Sequence, residues 1–393
     1  MSYNNMKVLR ISPPAIALQD SMKYGGIERV VMSLTSAQEK EGIANYVAAP
    51  GDSNITKGTL IPTVEKALWQ EDINGKVMKT HITSEDMKKH YQAVAQHIER
   101  NPDSIDVIHD HPGVEDSFLD RHPEIIEKYR IPILLTLHNG NPQDKPQMRE
   151  RYAKLEQLRE QLGFDLVRFN AISNSQREKF EGVIDMGEED VVYHGLNPSI
   201  FTPSYEKENT LFSIGRICPD KGQHIAARVA NNLERRLIMA GDVQDGFEGY
   251  FDTYIQPFIN KGVVEFVGSL NDEQKAVEYR KSKGLLMPIN WDEPFGLVVI
   301  EALGSATPVV AFNRGSMGEI IEHERSGYLV NPHGTDEEKI RNMTHYTGKI
   351  DELSPQNALQ AFNERFTDDI EADKYAKIYQ KMVSESSRRR LVA

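Results

Sequence analysis

The stretch LLMPINWDEPFGLVVIEALGSATPVVAFNRG, residues 285–315, packs two short apolar runs around a polar loop and a longer apolar segment. LLMPIN has the length of a buried strand. Asp292, Glu293, Pro294 and Gly296 then break the run. LVVIEAL continues as a helical segment, and TPVVAFN is again strand-like. Two strands joined through a helix form the crossover that parallel strands need. The stretch therefore predicts a parallel sheet covered by helices. It also sets Glu293 in the loop and Glu301 in the helix eight positions apart.

The same rhythm runs outward in both directions. KVLRIS (7–12) is a first strand, followed by a loop with two prolines and two glycines. Ile27, Val30, Val31 and Leu34 then recur at helical spacing. NYVAAPG, IDVIHDHP, PILLTLHNG and FNAISNS are further strands, with charged amphipathic helices at 84–100 and 146–162. The alternation restarts with TLFSIGR (210–216), RLIMAGD (236–242), VVEFVGS (263–269), KGLLMPIN (283–290), TPVVAFN (307–313) and SGYLVNP (326–332). The class is α/β, with two Rossmann-like, doubly wound parallel-sheet domains. They join near YHGLNPSIFTPS (193–204). The expected domains are 1–193 and 194–369, facing across a cleft and hinged by the linker. The last helices occupy about 355–386, and the basic tail SSRRRLVA is expected to fray.

Composition bounds the function. The chain has 393 residues, 39% apolar and 27% charged, enough for two globular domains. It carries no apolar run long enough to span a membrane. The N-terminus MSYNNMKVLRIS shows no signal-peptide pattern. The single cysteine, Cys218, rules out an intrachain disulfide and suits a reducing cytoplasm. A net charge of −13 argues against a nucleic-acid partner. It leaves room for weak peripheral contact at the inner face of a membrane. The moderately basic MKKHYQAVAQHIERN (87–101) is a candidate for that contact, but Met87, Tyr91, Val94 and Ile98 form a stripe that most simply faces a core.

In open α/β sheets, ligands bind beyond the carboxyl ends of the strands. In SIGRICPDKG, Arg216 and Lys221 lie between a strand end and a helix start, a natural anion site. They are suited to straddle a diphosphate; the plain alternative is a solvated loop. The spacing is not that of a P-loop. Pro294 fits the first turn of a helix, which leaves the amides of Phe295, Gly296, Leu297 and Val298 for oxygen ligands. Glu301 would then lie about 12 Å along the axis from Glu293. That separation suits a nucleotide-sugar, with one carboxylate on sugar hydroxyls and the other on the ribose diol. The alternatives are a first-turn acid for Glu293 and a partly buried acid paired with a base for Glu301.

Taken in order, these segments resemble family 4 of the glycosyltransferases, retaining enzymes of the GT-B fold. The Glu-x7-Glu motif stands here as EPFGLVVIE, and the phosphate-binding strand–loop as SIGRICPDKG. HGLNPSIFTP matches the linker, SATPVVAFNRGSMGEII the segment after the motif helix, YGGIERVV the glycine-rich loop and TLHNG a strand end. The resemblance covers nearly the whole chain and is most specific over 193–332. One departure is Ser316 after Gly315, where a second glycine is usual.

The resemblance implies that the second half binds a nucleotide-diphosphate sugar as co-substrate. Arg216 and Lys221 would hold the diphosphate and Glu301 the ribose. Glu293 with Phe295, Gly296 and Leu297 would hold the sugar. Gly26 would admit close backbone approach, and His138 would reach the sugar. The C-terminal helix, from about 370, would return to the first domain. His109, Asp110 and His111 would line a pocket for a hydroxyl-bearing acceptor. No third ligand accompanies this His-x-His pair, so no metal site is expected. No Asp-x-Asp pair occurs, no metal requirement is expected and no cofactor is expected to be tightly bound. The implied chemistry is same-face attack with retention.

Rival classes fit less well. A nicotinamide-dependent enzyme would need Gly-x-Gly-x-x-Gly and an acid ending the second strand. A phosphorylase would need a pyridoxal lysine, and an epimerase shares only the shape. A non-catalytic nucleotide-sugar-binding protein would not need the full set of Arg216, Lys221, Glu293 and His138.

Overall fold

The computed structural model describes residues 5–20, 22, 25–71, 77–78, 82–112, 116–138, 141–143 and 146–390. The chain forms two compact units, Met1–Gly195 with Asp368–Ala393, and Leu196–Thr367.

The first unit holds a six-stranded parallel sheet of β1 (Lys7–Ile11), β2 (Ala44–Ala49), β3 (Thr59–Pro62), β4 (Val107–Asp110), β5 (Ile133–Leu137) and β6 (Val167–Ala171). The order is β3-β2-β1-β4-β5-β6. Val8 pairs with Asn45 on one side and Val107 on the other. The second unit repeats the plan with β7 (Glu208–Ile214), β8 (Arg236–Ala240), β9 (Val264–Gly268), β10 (Ser282–Met287), β11 (Val309–Phe312) and β12 (Gly327–Val330). Its order is β9-β8-β7-β10-β11-β12. In each sheet the order reverses beside the first strand, and loops at such a switch point diverge to leave room for a ligand. β3 has no counterpart among the strands read from sequence. TLIP is half-exposed and ends on a proline, as an edge strand tolerates.

Helices cover the sheets. In the first unit, α1 (Gly26–Lys40) buries Val30, Val31 and Leu34. α2 (Ser84–Arg100) opens on a Thr83–Asp86 capping box and buries Tyr91, Val94 and Ile98, so its apolar stripe faces the core. α3 is Pro146–Leu162. In the second unit, α4 (Gln223–Asn232), α5 (Asp272–Lys281), α6 (Leu297–Gly304), α7 (Asp336–Gly348) and α8 (Pro355–Arg365) follow in turn.

The last helix, α9 (Asp368–Arg390), belongs to the first unit. It buries Ala372, Tyr375, Ala376, Tyr379 and Met382 against Val8, Leu34, Val107 and Leu134. Its backbone stays helical through Arg390, where fraying was expected, and 391–393 lie outside the described residues. No described helix is long and apolar enough to cross a membrane.

One boundary differs from the sequence expectation in a way that matters. α6 begins at Leu297, not at Pro294. Gly296, with φ 97°, is its N-cap, and Pro294 and Phe295 lie in the preceding loop. The 12 Å spacing assumed a helix running from Glu293, and only 297–301 is helical between the two carboxylates.

Removing α9 would uncover Val8, Leu34, Val107 and Leu134 at once. A chain ended at Thr367 is therefore expected to lose the cooperative unfolding of the first unit. Circular dichroism melting of that chain would contradict this packing if both units still melted cooperatively.

Candidate functional site

The second unit brings most of the expected residues to the carboxyl end of its sheet. After β7, a short turn at Pro219–Lys221 leads to Gly222 and then α4. Gly222 has φ 69°, and a Cβ there would lie 1.9 Å from the Pro288 carbonyl oxygen, so the close approach of the two loops needs glycine. Across that approach, Asn290 N donates to Asp220 O at 2.8 Å.

Lys221 and Glu293 meet here. Lys221 Nζ lies 2.8 Å from Glu293 Oε2, and both side chains are mostly buried. Trp291 Nε1 donates to the same oxygen at 3.1 Å, and Lys221 Nζ sits 4.8 Å over the Trp291 ring. Arg216, five residues earlier, donates from Nη1 to Gln244 Oε1 at 2.7 Å. The two cations thus occupy one loop but have separate partners.

The Glu293 loop is held from behind by residues to which sequence reasoning gave no role. Gly315 has φ 55°, and a Cβ there would meet Glu293 O at 2.2 Å. Ser316 N donates to Glu293 O at 3.0 Å, and its hydroxyl donates to Phe295 O at 2.5 Å. Serine in place of the usual glycine therefore adds a clamp on the loop. The amides of Gly296 and Leu297 donate to no described residue. With Lys221 they form a donor-rich rim suited to an anionic oxygen ligand, and Arg216 lies on the same loop as Lys221.

Glu301 sits differently. It is 2% exposed, and its oxygens accept from Lys275 Nζ at 2.6 Å and Tyr279 OH at 2.9 Å. Lys275 is shared with Asp272 at 2.7 Å. This is a buried acid paired with a base, tying α6 to α5. As folded, it presents no open surface to a ribose.

The first unit holds the remaining candidates. Gly26 opens α1 behind Gly25, whose φ is 113°, and the adjoining Tyr24 lies outside the described residues. Glu28 in the same turn is buried, and burial pushes its carboxyl up to about 7. His109 and Asp110 are fully buried. His109 is bonded to Arg10, Thr136 and Tyr379. Asp110 accepts from Phe118 N at 2.8 Å, and burial raises its pKa to about 8. Both lie buried on a central strand, between β1 and β5. His111 is also buried and bonds His138.

His138 is 6% exposed at the end of β5. Its Nε2 lies 2.8 Å from His111 Nδ1. The His194 ring stacks on it at 5.1 Å, and His194 Nδ1 lies 3.0 Å from Glu371 Oε1. His109 and His111 are brought together, with ring centroids 4.0 Å apart. Among the described residues, no three His, Cys, Asp or Glu side chains are grouped to hold a metal. Arg10, His194 and Glu371 were not singled out in the sequence. Arg10 was the legible one, a charge inside the apolar strand KVLRIS.

Known proteins resemble this chain in sequence segment and in fold. Residues 200–346 match the family model Glycosyl transferases group 1. An uncharacterized glycosyltransferase of Methanocaldococcus jannaschii is 30% identical over 42% of this chain and 47% of its own. A D-inositol 3-phosphate glycosyltransferase of Mycobacteroides abscessus is 30% identical over 38% and 37%. The chain thus spans half or less of the length of these two relatives. Among solved structures, sucrose-phosphate synthase of Thermosynechococcus elongatus matches with TM-score 0.72 and 17% identity, over 96% of this chain and 99% of that one. The Anabaena protein HepE in complex with UDP and glucose matches with TM-score 0.68 and 18% identity, over 95% and 99%. These likenesses establish the fold, two six-stranded parallel sheets of GT-B type.

The buried carboxyl of Asp110 gives a test with a defined sign. Its folded pKa, about 8, lies above the ordinary 3.8, so the folded state holds the proton across that interval. Its contribution to stability is present at low pH and is lost as pH rises towards 8. Asp110→Asn should therefore gain on the wild type as pH rises from about 4 to 8. Urea unfolding of both proteins at several pH values measures this, and a constant difference would contradict a protonated Asp110.

Proposed function

We propose that this chain, which belongs to the Glycosyl transferases group 1 family, transfers a sugar from a nucleotide-diphosphate sugar to a hydroxyl acceptor, with retention of configuration. The observation that carries the reading is the meeting of the two loops of the second unit. Lys221 and Glu293, 2.8 Å apart, stand beside the amides of Gly296 and Leu297, which donate to no described residue. Arg216 lies on the same loop as Lys221.

In this reading the diphosphate competes with Glu293 for Lys221. A doubly charged phosphate oxygen cluster draws the ammonium more strongly than one carboxylate. Lys221 turning to the diphosphate leaves Glu293 to accept from sugar hydroxyls. Arg216 adds a forked contact. The bond between the anomeric carbon and the diphosphate oxygen breaks, and negative charge grows on that oxygen. Lys221, once turned, stabilises it together with Arg216 and the amides. The acceptor oxygen bonds to the anomeric carbon on the same face, and its proton passes to the departing phosphate. His138 and the backbone at Gly26 keep the sugar-contacting roles that the family resemblance gives them. The solved complexes of HepE include one with UDP-glucose, which supports a nucleotide-sugar as the donor class. Glu301 enters the proposal only as the anchor of α6, since it is buried and tied to Lys275 and Tyr279.

A panel of nucleotide-sugars tested for thermal shift and turnover probes the proposal. One donor class should stabilise the wild type and be consumed with an acceptor. Arg216→Ala and Lys221→Ala should each lower kcat/KM by about a hundredfold. Stabilisation without turnover of any donor would leave a binding protein, and no stabilisation by any of them would overturn the reading.

A further inference from the structure

Four histidines and one arginine form a connected row in the first unit, and the row has a direction. Arg10 is fully buried on β1, with no carboxylate in ion-pair range among the described residues. Its Nη2 donates to Gln38 Oε1 at 2.6 Å and Asn45 Oδ1 at 3.0 Å. Its Nη1 faces His109 Nδ1 at 2.9 Å and His111 Nε2 at 3.4 Å. A guanidinium can only donate, so both ring nitrogens that face it must accept.

That constraint propagates. For His109, accepting at Nδ1 leaves the proton on Nε2, which lies 2.6 Å from Thr136 Oγ1. The Thr136 hydroxyl is itself spent on Asn170 Oδ1 at 2.7 Å, so it accepts from His109, and the two ends of this ring agree. For His111, accepting at Nε2 leaves the proton on Nδ1. That proton points at His138 Nε2, 2.8 Å away. His138 then accepts at Nε2 and carries its own proton on Nδ1. This last nitrogen has no hydrogen-bond partner among the described residues. Burial keeps His109, His111 and His138 well below the usual histidine range, so each ring stays neutral and keeps one proton. The groups around the row are His194, stacked on His138, with Glu371, and Tyr375 and Tyr379 beside His109.

We propose that Arg10 and His111 are positioning residues that fix His138 as the Nδ1–H tautomer, so that it meets substrate as a hydrogen-bond donor and not as a base. The inference rests on the reading of His138 as a sugar contact. Its tautomer follows from the protein alone. Since Nε2 is occupied by the His111 proton, neither ring nitrogen is open to take a proton from an acceptor hydroxyl. The ring serves an oxygen lone pair, on a sugar hydroxyl or on an oxygen gaining charge.

The test is nitrogen-15 NMR of imidazole-labelled protein near neutral pH, where protonated and bare ring nitrogens resonate far apart. His138→Asn identifies the His138 signals among the twelve histidines. The expected wild-type result is a protonated Nδ1 and a bare Nε2. His111→Phe, which cannot donate, should release the ring to the other tautomer or a mixture. His111→Asn, whose amide can donate, should keep Nδ1–H. In turnover, His111→Phe should lower kcat about tenfold with little change in the donor KM, and His111→Asn should recover most of it. A proton on Nε2 in the wild type would overturn the proposal, as would an unchanged Nδ1–H in a folded His111→Phe. Should His111→Phe fail to fold, the wild-type spectrum still decides. Should no donor be turned over, the functional reading fails while the spectrum still decides the tautomer.

Discussion

A guanidinium with no exposed surface organises the first unit. Arg10 sits on the central strand, where a charge without a carboxylate partner is costly unless its protons find acceptors. Two amide side chains, Gln38 and Asn45, and two imidazoles, His109 and His111, supply them. Because Gln38 lies on α1, Asn45 on β2 and the two imidazoles on and just after β4, the cation joins β1 to all three. The helix α9 closes the same network through Tyr379 and Tyr375, which reach His109, Thr136 and Asn170. The last segment of the chain is therefore part of the core of the first unit. A polar network of this kind orders the strand end at which His138 stands.

The second unit solves a related problem with opposite exposure. Its ion pair, Lys221–Glu293, is at a loop rim and is partly open, so it can exchange partners at modest cost. The other pair, Lys275–Glu301, is buried with Asp272 and Tyr279 and cannot. Two carboxylates eight residues apart thus have different fates. One is fixed to hold the helix, and the other is held only by groups that a charged ligand could reclaim. Gly222 and Gly315 permit the loop approach that makes this arrangement, and Ser316 locks it from behind.

Much of the fold was legible because parallel strands buried on both faces are short, apolar and regularly spaced. Eleven of the twelve strands in the two six-stranded sheets stand out in that way. The twelfth, Thr59–Pro62, is half-exposed and proline-ended, so periodicity does not mark it. The start of α6 was misplaced because Pro294 suits a first helical turn, while the loop clamp by Gly315 and Ser316 keeps Glu293 to Phe295 out of the helix. In the candidate site, Arg216, Lys221 and Glu293 were visible from loop position and spacing. The burial of His109 and Asp110 was not, because it depends on partners such as Tyr379 and Phe118, while for Glu301 a buried acid paired with a base was one of two open readings. His194 with Glu371 is the extreme case, a contact across 177 positions. The roles of the site residues beyond these positions rest on the proposal.

In the proposed function, Lys221, Arg216 and the amides of Gly296 and Leu297 make the second unit a phosphate-binding surface. Calorimetric titration with a nucleoside, its monophosphate and its diphosphate tests that most directly. The account predicts affinity rising with each phosphate, with the phosphate-dependent part weakened by added salt. A nucleoside that binds as tightly as its diphosphate would contradict it.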